Sequence, residues 1–203
     1  LNVDKLGVDL MSISAHKFNG PKGIGALYMK NGIPFEPLIT GGGQERQKRS
    51  GTENIAFISG SAEAIRLAEE EKIKLNNMIM TLKNKITDHM INQHKDIVIN
   101  GHPTKSLPNI INLTIPDVRA DDLISALDLE DICISNGSAC TSNSLEPSHV
   151  LKSIGMEANM ALNTIRISLG RNNTESEIIR FLNIIDKIIE RIRKNKKEFI
   201  TNN

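Results

Sequence analysis

The sequence has 203 residues, 39% of them apolar, which is enough for one domain with a buried core and part of another. The 25 Lys and Arg residues balance 24 Asp and Glu residues, and the net charge of +1 gives no electrostatic basis for binding nucleic acid or an anionic membrane. No apolar run approaches the roughly 20 residues of a membrane span, and two cysteines are too few for a disulfide framework. We therefore expect a cytoplasmic protein that binds a small ligand and keeps a free thiol.

The first part of the chain predicts two strands and a long helix. Residues 8–14 form a β-type run, and residues 24–29 form another after a turn at residues 19–23. Because the chain begins at Leu1 rather than Met, and its first residues resemble the end of a helix, we expect a fragment of a longer protein. From Ile55 to about Ile91 the apolar residues recur at helical spacing, which predicts one long helix or two abutting ones.

The second part of the chain alternates between strands and helices. Strands are predicted at residues 97–99, 110–115, 132–134 and 164–169, and helices at residues 121–129 and 178–192. Thr174 and Glu177 have the spacing of a capping box before the last helix. This alternation favours an α/β or α+β layer domain. The basic residues that follow predict a solvated helix face rather than a binding patch: Arg191, Arg193, Lys194, Lys196 and Lys197.

Three chemical groups meet at the end of the first predicted strand. Ser14, His16 and Lys17 supply a hydroxyl, an imidazole and an amine, which a phosphorylated aldehyde cofactor needs for phosphate contacts and for an imine bond. These residues alone would predict only an ordinary surface lysine. The whole segment SAHKFNGPKGIG, residues 14–25, closely resembles the Schiff-base segment of fold-type I pyridoxal-phosphate (PLP) enzymes of the cysteine desulfurase family. The resemblance implies that Lys17 binds PLP covalently and that Ser14 and His16 contact it.

A glycine-rich segment, GGGQERQKRSGT at residues 41–52, combines backbone freedom with three cations and hydroxyl groups. It is not a nucleotide-binding P-loop, because Lys48 and Arg49 interrupt the required pattern and no strand leads directly into it. The segment resembles the family motif Gly-Gly-Gly-x-Glu-Arg-x-x-Arg-Ser-Gly-Thr. The resemblance implies that Thr52 contacts the PLP phosphate of the other subunit, and therefore that the protein is a homodimer.

The two cysteines lie in different sequence contexts. Cys140 lies in a run of small polar residues, 135–144, which predicts an exposed loop and a reactive thiol. Cys133 alternates with isoleucines, which predicts a buried strand position. The spacing of Cys133, Cys140 and His149 fits no common zinc pattern and a fourth ligand is missing, which argues against a zinc site. His149 itself is expected to cap or pack a helix start rather than to catalyse.

The cysteine segment carries the closest family match. Residues 138–151 are very similar to the NifS/IscS-type desulfurases with the longer catalytic loop, and Cys140 falls on their persulfide cysteine. The resemblance also implies that Cys140 could act as a transient iron–sulfur ligand shared with a scaffold. Arg166 lies on a predicted strand in a segment that resembles the family pattern Ile-Arg-x-Ser-Leu-Gly-Arg, which implies that it binds the substrate carboxylate. A planar guanidinium suits this role because it can bind a carboxylate bidentately.

Taken together, the resemblance implies an α/β chain from the C-terminal part of a PLP-dependent transferase fold. Residues 1–70 would complete the large PLP-binding domain, and residues 71–203 would form the small domain with the cysteine loop. The implied reaction converts L-cysteine to L-alanine and passes sulfur to an iron–sulfur scaffold or another acceptor protein, and the chain alone should be inactive. A selenocysteine lyase, another fold-type I enzyme such as an aminotransferase, and a non-catalytic sulfur-relay module remain alternatives. The terminal residues 196–203 do not match the scaffold-binding tail of housekeeping members, so the acceptor is open.

Overall fold

The computed structural model describes residues 2–136 and 147–201. The chain divides into two compact units, Leu1–Ile73 and Lys74–Asn203. The dividing point lies within the long helix α3 (Ile55–Gln93), whose prediction as a helix beginning at Ile55 is confirmed. The assignment of residues 1–70 and 71–203 to the large and small domains of a PLP enzyme stays a prediction. Among the described residues, no helix is long and apolar enough to cross a membrane.

The first unit is built around a two-stranded antiparallel sheet. Its elements, in chain order, are α1 (Val3–Leu6), β1 (Leu10–Ser14), a 3-10 turn (Ala15–Phe18), β2 (Gly25–Met29), α2 (Gln44–Gln47) and the beginning of α3. Leu10 pairs with Met29 and Ser14 pairs with Gly25. A Cβ atom at Gly25 would overlap the carbonyl oxygen of Ile13, so the strands approach closely where β1 ends. Both predicted strands are confirmed, with slightly shorter bounds.

The first unit has almost no hydrophobic core of its own. Among residues 2–73, Ala15 is the only apolar residue that is buried. The large apolar side chains left exposed in this unit are Leu6, Leu10, Leu27, Leu38, Ile39, Ile55, Phe57, Ile58, Ile65 and Ile73. Because burial of apolar surface is the main favourable contribution to folding, these residues add little stability to the unit by itself.

The second unit packs helices on a three-stranded antiparallel sheet. Its further elements are β3 (Val98–Ile99), β4 (Ile110–Thr114), α4 (Ala120–Asp128), α5 (His149–Ser153), α6 (Ala158–Leu162), β5 (Thr164–Ser168) and α7 (Glu175–Thr201). The strand order is β3-β4-β5, with Ile110 opposite Ser168 and Thr114 opposite Thr164. The sheet therefore holds β5, which carries Arg166, directly against β4.

The core of the second unit follows from the apolar spacing of its elements. Buried residues recur every three or four positions along α7, at Ile178, Phe181, Leu182, Ile185, Ile188 and Ile189. They join buried side chains from the second half of α3, the sheet and α4, including Ile86, Leu113, Leu123 and Ile165. Each such side chain contributes about 1.5–3 kcal/mol when it is fully buried. The second unit thus has the packed core that the first lacks.

Three predictions for the second unit are corrected. Residues 132–134 form no strand; only Ser135 makes an isolated antiparallel bridge, to Arg166. Cys133 is exposed rather than buried, because Ile132 and Ile134 pack against the core and the residue between them points to the opposite side of the extended segment. The last helix continues to Thr201, beyond its predicted end at Ile192.

Candidate cofactor and substrate site

Lys17 lies in the 3-10 turn (Ala15–Phe18) that follows β1. The turn ends at Asn19, whose left-handed backbone (φ 66°) is a conformation that asparagine adopts more readily than most residues. Ala15 is buried and its carbonyl accepts a hydrogen bond from the Gly20 N–H at 2.9 Å. A Cβ atom at Gly20 would lie 3.0 Å from the Cβ of Ala15, so the chain closes tightly around this residue. The predicted position of Lys17 just past a strand end is confirmed.

The side chains around this turn are free to bind a ligand. Ser14, His16 and Lys17 are all exposed. Among residues 2–136 and 147–201, none of these three side chains has a hydrogen-bond or ion-pair partner. An unpaired amine next to two unpaired donors is the set that a phosphorylated aldehyde requires, for an imine bond and for phosphate oxygens. The residues present at this turn therefore fit PLP.

The glycine-rich segment contains an unusual backbone conformation. Glu45 (φ 49°, ψ 40°), Arg46 (φ 56°, ψ 41°) and Gln47 (φ 64°) form a left-handed turn, which costs roughly 1–2 kcal/mol per residue for L-amino acids. The segment offsets this cost with internal hydrogen bonds. Ser50 Oγ donates to the Gly42 carbonyl at 2.7 Å, and the Gly51 N–H donates to Gln44 Oε1 at 3.2 Å. Such strain commonly marks a functional segment.

Thr52 follows this strained turn and lines an open cleft of about 1470 Å³. The cleft lies within the first unit, between β1, β2, the glycine-rich segment and the beginning of α3. Among the described residues, Ser14, His16 and Lys17 are not part of its lining. Both ends of the turn that carries Lys17, Ala15 and Phe18, do line this cleft. That Thr52 and Lys17 of one chain serve two different copies of the site stays a prediction.

Arg166 lies in the second unit at the middle of β5. Its Cα partner on β4 is Asn112, and its backbone bridges on the other side to Ser135, which donates its N–H to the Arg166 carbonyl at 3.1 Å. The Nε of Arg166 is buried and has no hydrogen-bond partner among the residues that the structure describes. Buried donors in proteins are nearly always paired, and a carboxylate is the acceptor that a guanidinium binds most strongly. The arginine is therefore suited to a carboxylate ligand.

Of the two cysteines, Cys133 is the one that lies among the described residues. Cys140 lies outside the described residues, so its predicted roles as persulfide cysteine and transient iron–sulfur ligand stay predictions. Within the described part of the chain, no group of three or more His, Cys, Asp or Glu side chains could hold a metal ion. Sequence analysis did not single out Ser135 as a contact of Arg166, although Ser135 opens the same small polar run that contains Cys140.

Comparison with known proteins agrees with the fold. The fold is that of PLP-dependent transferases, and residues 1–181 match the family model described as "Aminotransferase class-V". The chain belongs to this class-V aminotransferase family. It is 45% identical over 193 residues to the cysteine desulfurase IscS of Dictyoglomus turgidum, and 40% identical over 193 residues to the IscS of Methanosarcina thermophila. In both cases the match covers 95% of this chain, and it covers 49% and 48% of the relatives.

Solved structures give the same result. A NifS-like protein superposes with a TM-score of 0.83 at 37% identity, covering 94% of this chain and 48% of the other. A NifS-like protein from Rickettsia africae also has a TM-score of 0.83, at 32% identity, covering 94% of this chain and 50% of the other. The predicted resemblance to NifS/IscS-type proteins is thus confirmed, and these homologues depend on PLP. The chain spans about half the length of the curated relatives it matches.

Proposed function

We propose that the protein containing this chain is a cysteine desulfurase that converts L-cysteine to L-alanine and receives the sulfur on Cys140. The observation that carries the proposal is the unpaired amine of Lys17, exposed in a tight turn at the end of β1. It occurs in a class-V chain that is 45% identical to an IscS cysteine desulfurase. An exposed, unpaired lysine is ordinary by itself; it supports a bond to a cofactor here because it lies in the segment SAHKFNGPKGIG of a class-V chain.

The residues of the first unit would hold the cofactor. Lys17 would bind PLP through its Nζ, while Ser14 and His16 would donate hydrogen bonds to its phosphate. Thr52 would donate to the phosphate bound by a second copy, which makes the active protein a homodimer. When bound, PLP supplies the electron sink that makes the α-proton of an amino acid acidic. When it is not bound to the cofactor, the Nζ amine of Lys17 would accept that proton and return one later.

The residues of the second unit would handle the substrate. Arg166 would bind the α-carboxylate and supply the acceptor that its buried Nε lacks among the described residues. The Cys140 thiolate would attack the substrate sulfur. An S–S bond forms as the C–S bond breaks, the bonding electrons stay with the three-carbon fragment, and protonation of that fragment gives alanine. The outer sulfur of the persulfide then passes to an acceptor protein.

The cellular role forms the finer part of the proposal. The sulfur would serve iron–sulfur cluster assembly or another thiolation in the cytoplasm, with Cys140 as a transient cluster ligand beside a scaffold. The chain alone would be inactive, because its relatives are about twice as long. The first unit supports this view. Most of its large apolar side chains are exposed, so the turn that carries Lys17 has no hydrophobic core around it.

The test uses the complete protein that carries these residues, incubated with PLP, L-cysteine and an excess of a small thiol. Alanine and sulfide should form in equal amounts, and borohydride reduction followed by peptide mass analysis should place the cofactor on Lys17. Lys17→Ala should abolish both the trapping and the product. Lys22→Ala is the matched control, because Lys22 is an exposed lysine of the same segment and should leave both unchanged.

Cysteine variants separate the proposal from its rivals. Cys140→Ser should stop alanine formation from cysteine while the visible absorbance of bound PLP is retained. Cys133→Ser should change neither alanine formation nor this absorbance. Normal alanine formation by Cys140→Ser would contradict the proposal and favour a selenocysteine lyase. A complete protein that binds no cofactor would favour a non-catalytic relay module.

A further inference from the structure

One face of the three-stranded sheet is polar, and Arg166 lies on it. Asn112 of β4 lies opposite Arg166 of β5, and residues directly opposite each other share a face of the sheet. The next pair on this face is Thr114 and Thr164. The residues that alternate with these four lie on the other face and join the hydrophobic core: Ile111, Leu113, Ile165 and Ile167. The side chain of Arg166 therefore leaves the sheet on the side away from that core.

Asn112 is the residue of β4 that faces Arg166 directly. Arg166 exchanges both of its backbone hydrogen bonds with Ser135, so its N–H and carbonyl point away from β4. Asn112 and Arg166 are thus opposite each other without backbone hydrogen bonds between them. In such pairs the Cα atoms are only about 4.5 Å apart and the side chains are close. A free acceptor on the side chain of Asn112 would be within reach of the guanidinium.

The amide group of Asn112 is occupied at both ends. Its Nδ2 donates to the Ile165 carbonyl at 3.2 Å, and its Oδ1 accepts a hydrogen bond of 2.8 Å from Asn100 Nδ2. The main chain reinforces the second contact, because the Asn100 N–H donates to the Asn112 carbonyl at 2.9 Å. The oxygen that could pair with Arg166 is therefore held toward Asn100, the residue that follows β3.

A second branch of hydrogen bonds fixes Asn100 in turn. Asn100 Nδ2 also donates to Thr114 Oγ1 at 2.8 Å. Thr114 Oγ1 lies 2.7 Å from Thr164 Oγ1, which donates to the Met160 carbonyl at 2.7 Å. Thr114 and Thr164 are fully buried, and a buried network whose members are all paired is rigid. Asn100 is therefore held in one orientation.

Arg166 lies beside this network with an unpaired donor. Its Nε is buried and has no acceptor within residues 2–136 and 147–201. A buried donor without a partner is costly, and the Asn112 oxygen could satisfy it by turning. The oxygen instead binds Asn100, which leaves the guanidinium available to an external carboxylate.

We propose that Asn112 and Asn100 are positioning residues that keep the guanidinium of Arg166 unpaired, so that Arg166 selects ligands by their carboxylate. The inference rests on the proposed function, because it deepens the role given there to Arg166. Asn112 acts by presenting no acceptor to Arg166, and Asn100 acts by holding the Asn112 oxygen away. Neither asparagine contacts the ligand.

The test compares two ligands in the complete PLP-loaded protein. L-alanine carries a carboxylate, and ethylamine is the same molecule without it. Titration followed by the absorbance of the cofactor gives the Kd of each amine, and the ratio of the two values is the carboxylate preference. The unaltered protein should prefer L-alanine, and Arg166→Ala should remove the preference.

Asn112→Asp is the decisive variant. It replaces Nδ2 by an oxygen, which the Ile165 carbonyl repels and which should pair with Arg166 instead. The carboxylate preference should fall about 10- to 100-fold, the effect of losing a hydrogen bond between charged groups, while the Kd of ethylamine stays unchanged. The KM for L-cysteine should rise by the same factor at constant kcat. An undiminished preference for L-alanine in Asn112→Asp would overturn the proposal.

Two variants free or remove the Asn112 oxygen without adding a charge. Asn112→Leu has a similar volume and no acceptor, so it should keep most of the carboxylate preference. Asn100→Ala releases the Asn112 oxygen toward Arg166 and should lower the preference about 3- to 10-fold, because the new contact is with a neutral group. Equal losses in Asn112→Leu and Asn112→Asp would show that Asn112 itself contacts the ligand and would contradict the proposal.

Thr114→Val is the matched structural control. It cuts the second branch of the network and leaves the Asn112 amide bonded to Asn100 and Ile165. It should lower the temperature of thermal unfolding and leave the carboxylate preference unchanged. A loss of preference as large as that of Asn112→Asp would show that any damage to the sheet has this effect, which would also overturn the positioning role.

The proposed function and this inference fail separately. If the complete protein forms no alanine from cysteine, yet Asn112→Asp loses the carboxylate preference as expected, the proposed function is wrong and the positioning role stands. If the protein is an active desulfurase and Asn112→Asp binds L-alanine as the unaltered protein does, only the positioning role is wrong.

Discussion

Thr174 and Glu177 satisfy each other's backbone at the beginning of α7. The Thr174 N–H donates to Glu177 Oε2 at 2.8 Å, and the Glu177 N–H donates to Thr174 Oγ1 at 3.3 Å. The predicted capping box is therefore confirmed. Thr174→Ala should lower the free energy of unfolding by about 1 kcal/mol, as loss of an N-terminal cap does. Urea unfolding followed by circular dichroism measures it. Thr174→Ser keeps the hydroxyl and should lose much less; equal losses would show that the hydroxyl is not the cause.

The same cap makes stability depend on pH. Hydrogen bonds from the backbone N–H and the hydroxyl of Thr174 hold the pKa of Glu177 below its ordinary value. Because the pKa is lower in the folded state, the stabilisation is present above the unfolded-state pKa and is lost as pH falls through the folded-state pKa. Glu177→Gln should therefore flatten the acid limb of the stability profile. Glu190→Gln, at an exposed position further along α7, should not, and an unchanged acid limb in Glu177→Gln would contradict the assignment.

Asp186 of α7 joins two histidines near the end of α3. Its Oδ2 lies 2.7 Å from His89 Nε2 and its Oδ1 lies 2.9 Å from His94 Nε2, and the side chain of His94 is only 9% exposed. Asp186→Ala leaves both imidazoles without this acceptor, so we expect a loss of about 1–3 kcal/mol in the stability of the second unit. Thermal unfolding measures the loss. Asp88→Ala removes an exposed carboxylate of α3 and should cost much less; similar losses would show that the histidine contacts contribute nothing.

The contrast between these features shows what the sequence could predict. The capping box, the strands around Lys17 and the helix from Ile55 depend on local spacing, and each was predictable within a few residues. The Asp186 contacts join positions more than ninety residues apart, and no local pattern indicates them. The core of the second unit and the strand that carries Arg166 are predictable from periodicity, whereas the role of Arg166 comes from the family resemblance and its backbone partner Ser135 from neither.

The errors also have physical causes. The run at residues 132–134 has the alternation of a strand, but a strand needs a partner along its length, and here only Ser135 bridges to β5. The last helix is predicted to end at Ile192, yet it continues to Thr201. Arg193 reaches Asp96 and Lys196 lies 2.6 Å from Asp117, whose pKa it lowers. These tertiary ion pairs extend the helix beyond its apolar stripe.

The exposure of Cys133 predicts reactivity. Its thiol is solvent-accessible, and the nearest polar contact, with Asp128 Oδ1 at 3.9 Å, is too long to protect it. We expect iodoacetamide to alkylate Cys133 in the native chain, as read by peptide mass analysis. Thiol labelling of Cys140 must therefore be done in a Cys133→Ser background. Resistance of Cys133 to alkylation until denaturant is added would contradict the exposed position.

The unequal cores of the two units predict unequal stability within one chain. Residues 2–73 bury only one apolar residue, Ala15, whereas the second unit encloses a cluster drawn from α3, α4, α7 and its sheet. Local opening costs little free energy where few apolar contacts must be broken. In the 203-residue chain, limited proteolysis should therefore cut first within residues 2–54 and leave a resistant product that contains the second unit.

Ile185→Ala, which opens a cavity in the core of the second unit, should make that product labile and lower the free energy of unfolding by about 2–5 kcal/mol. Leu38→Ala removes a side chain that is 97% exposed and should leave the cleavage order unchanged. Cleavage that begins within the second unit of the unaltered chain would contradict this ranking.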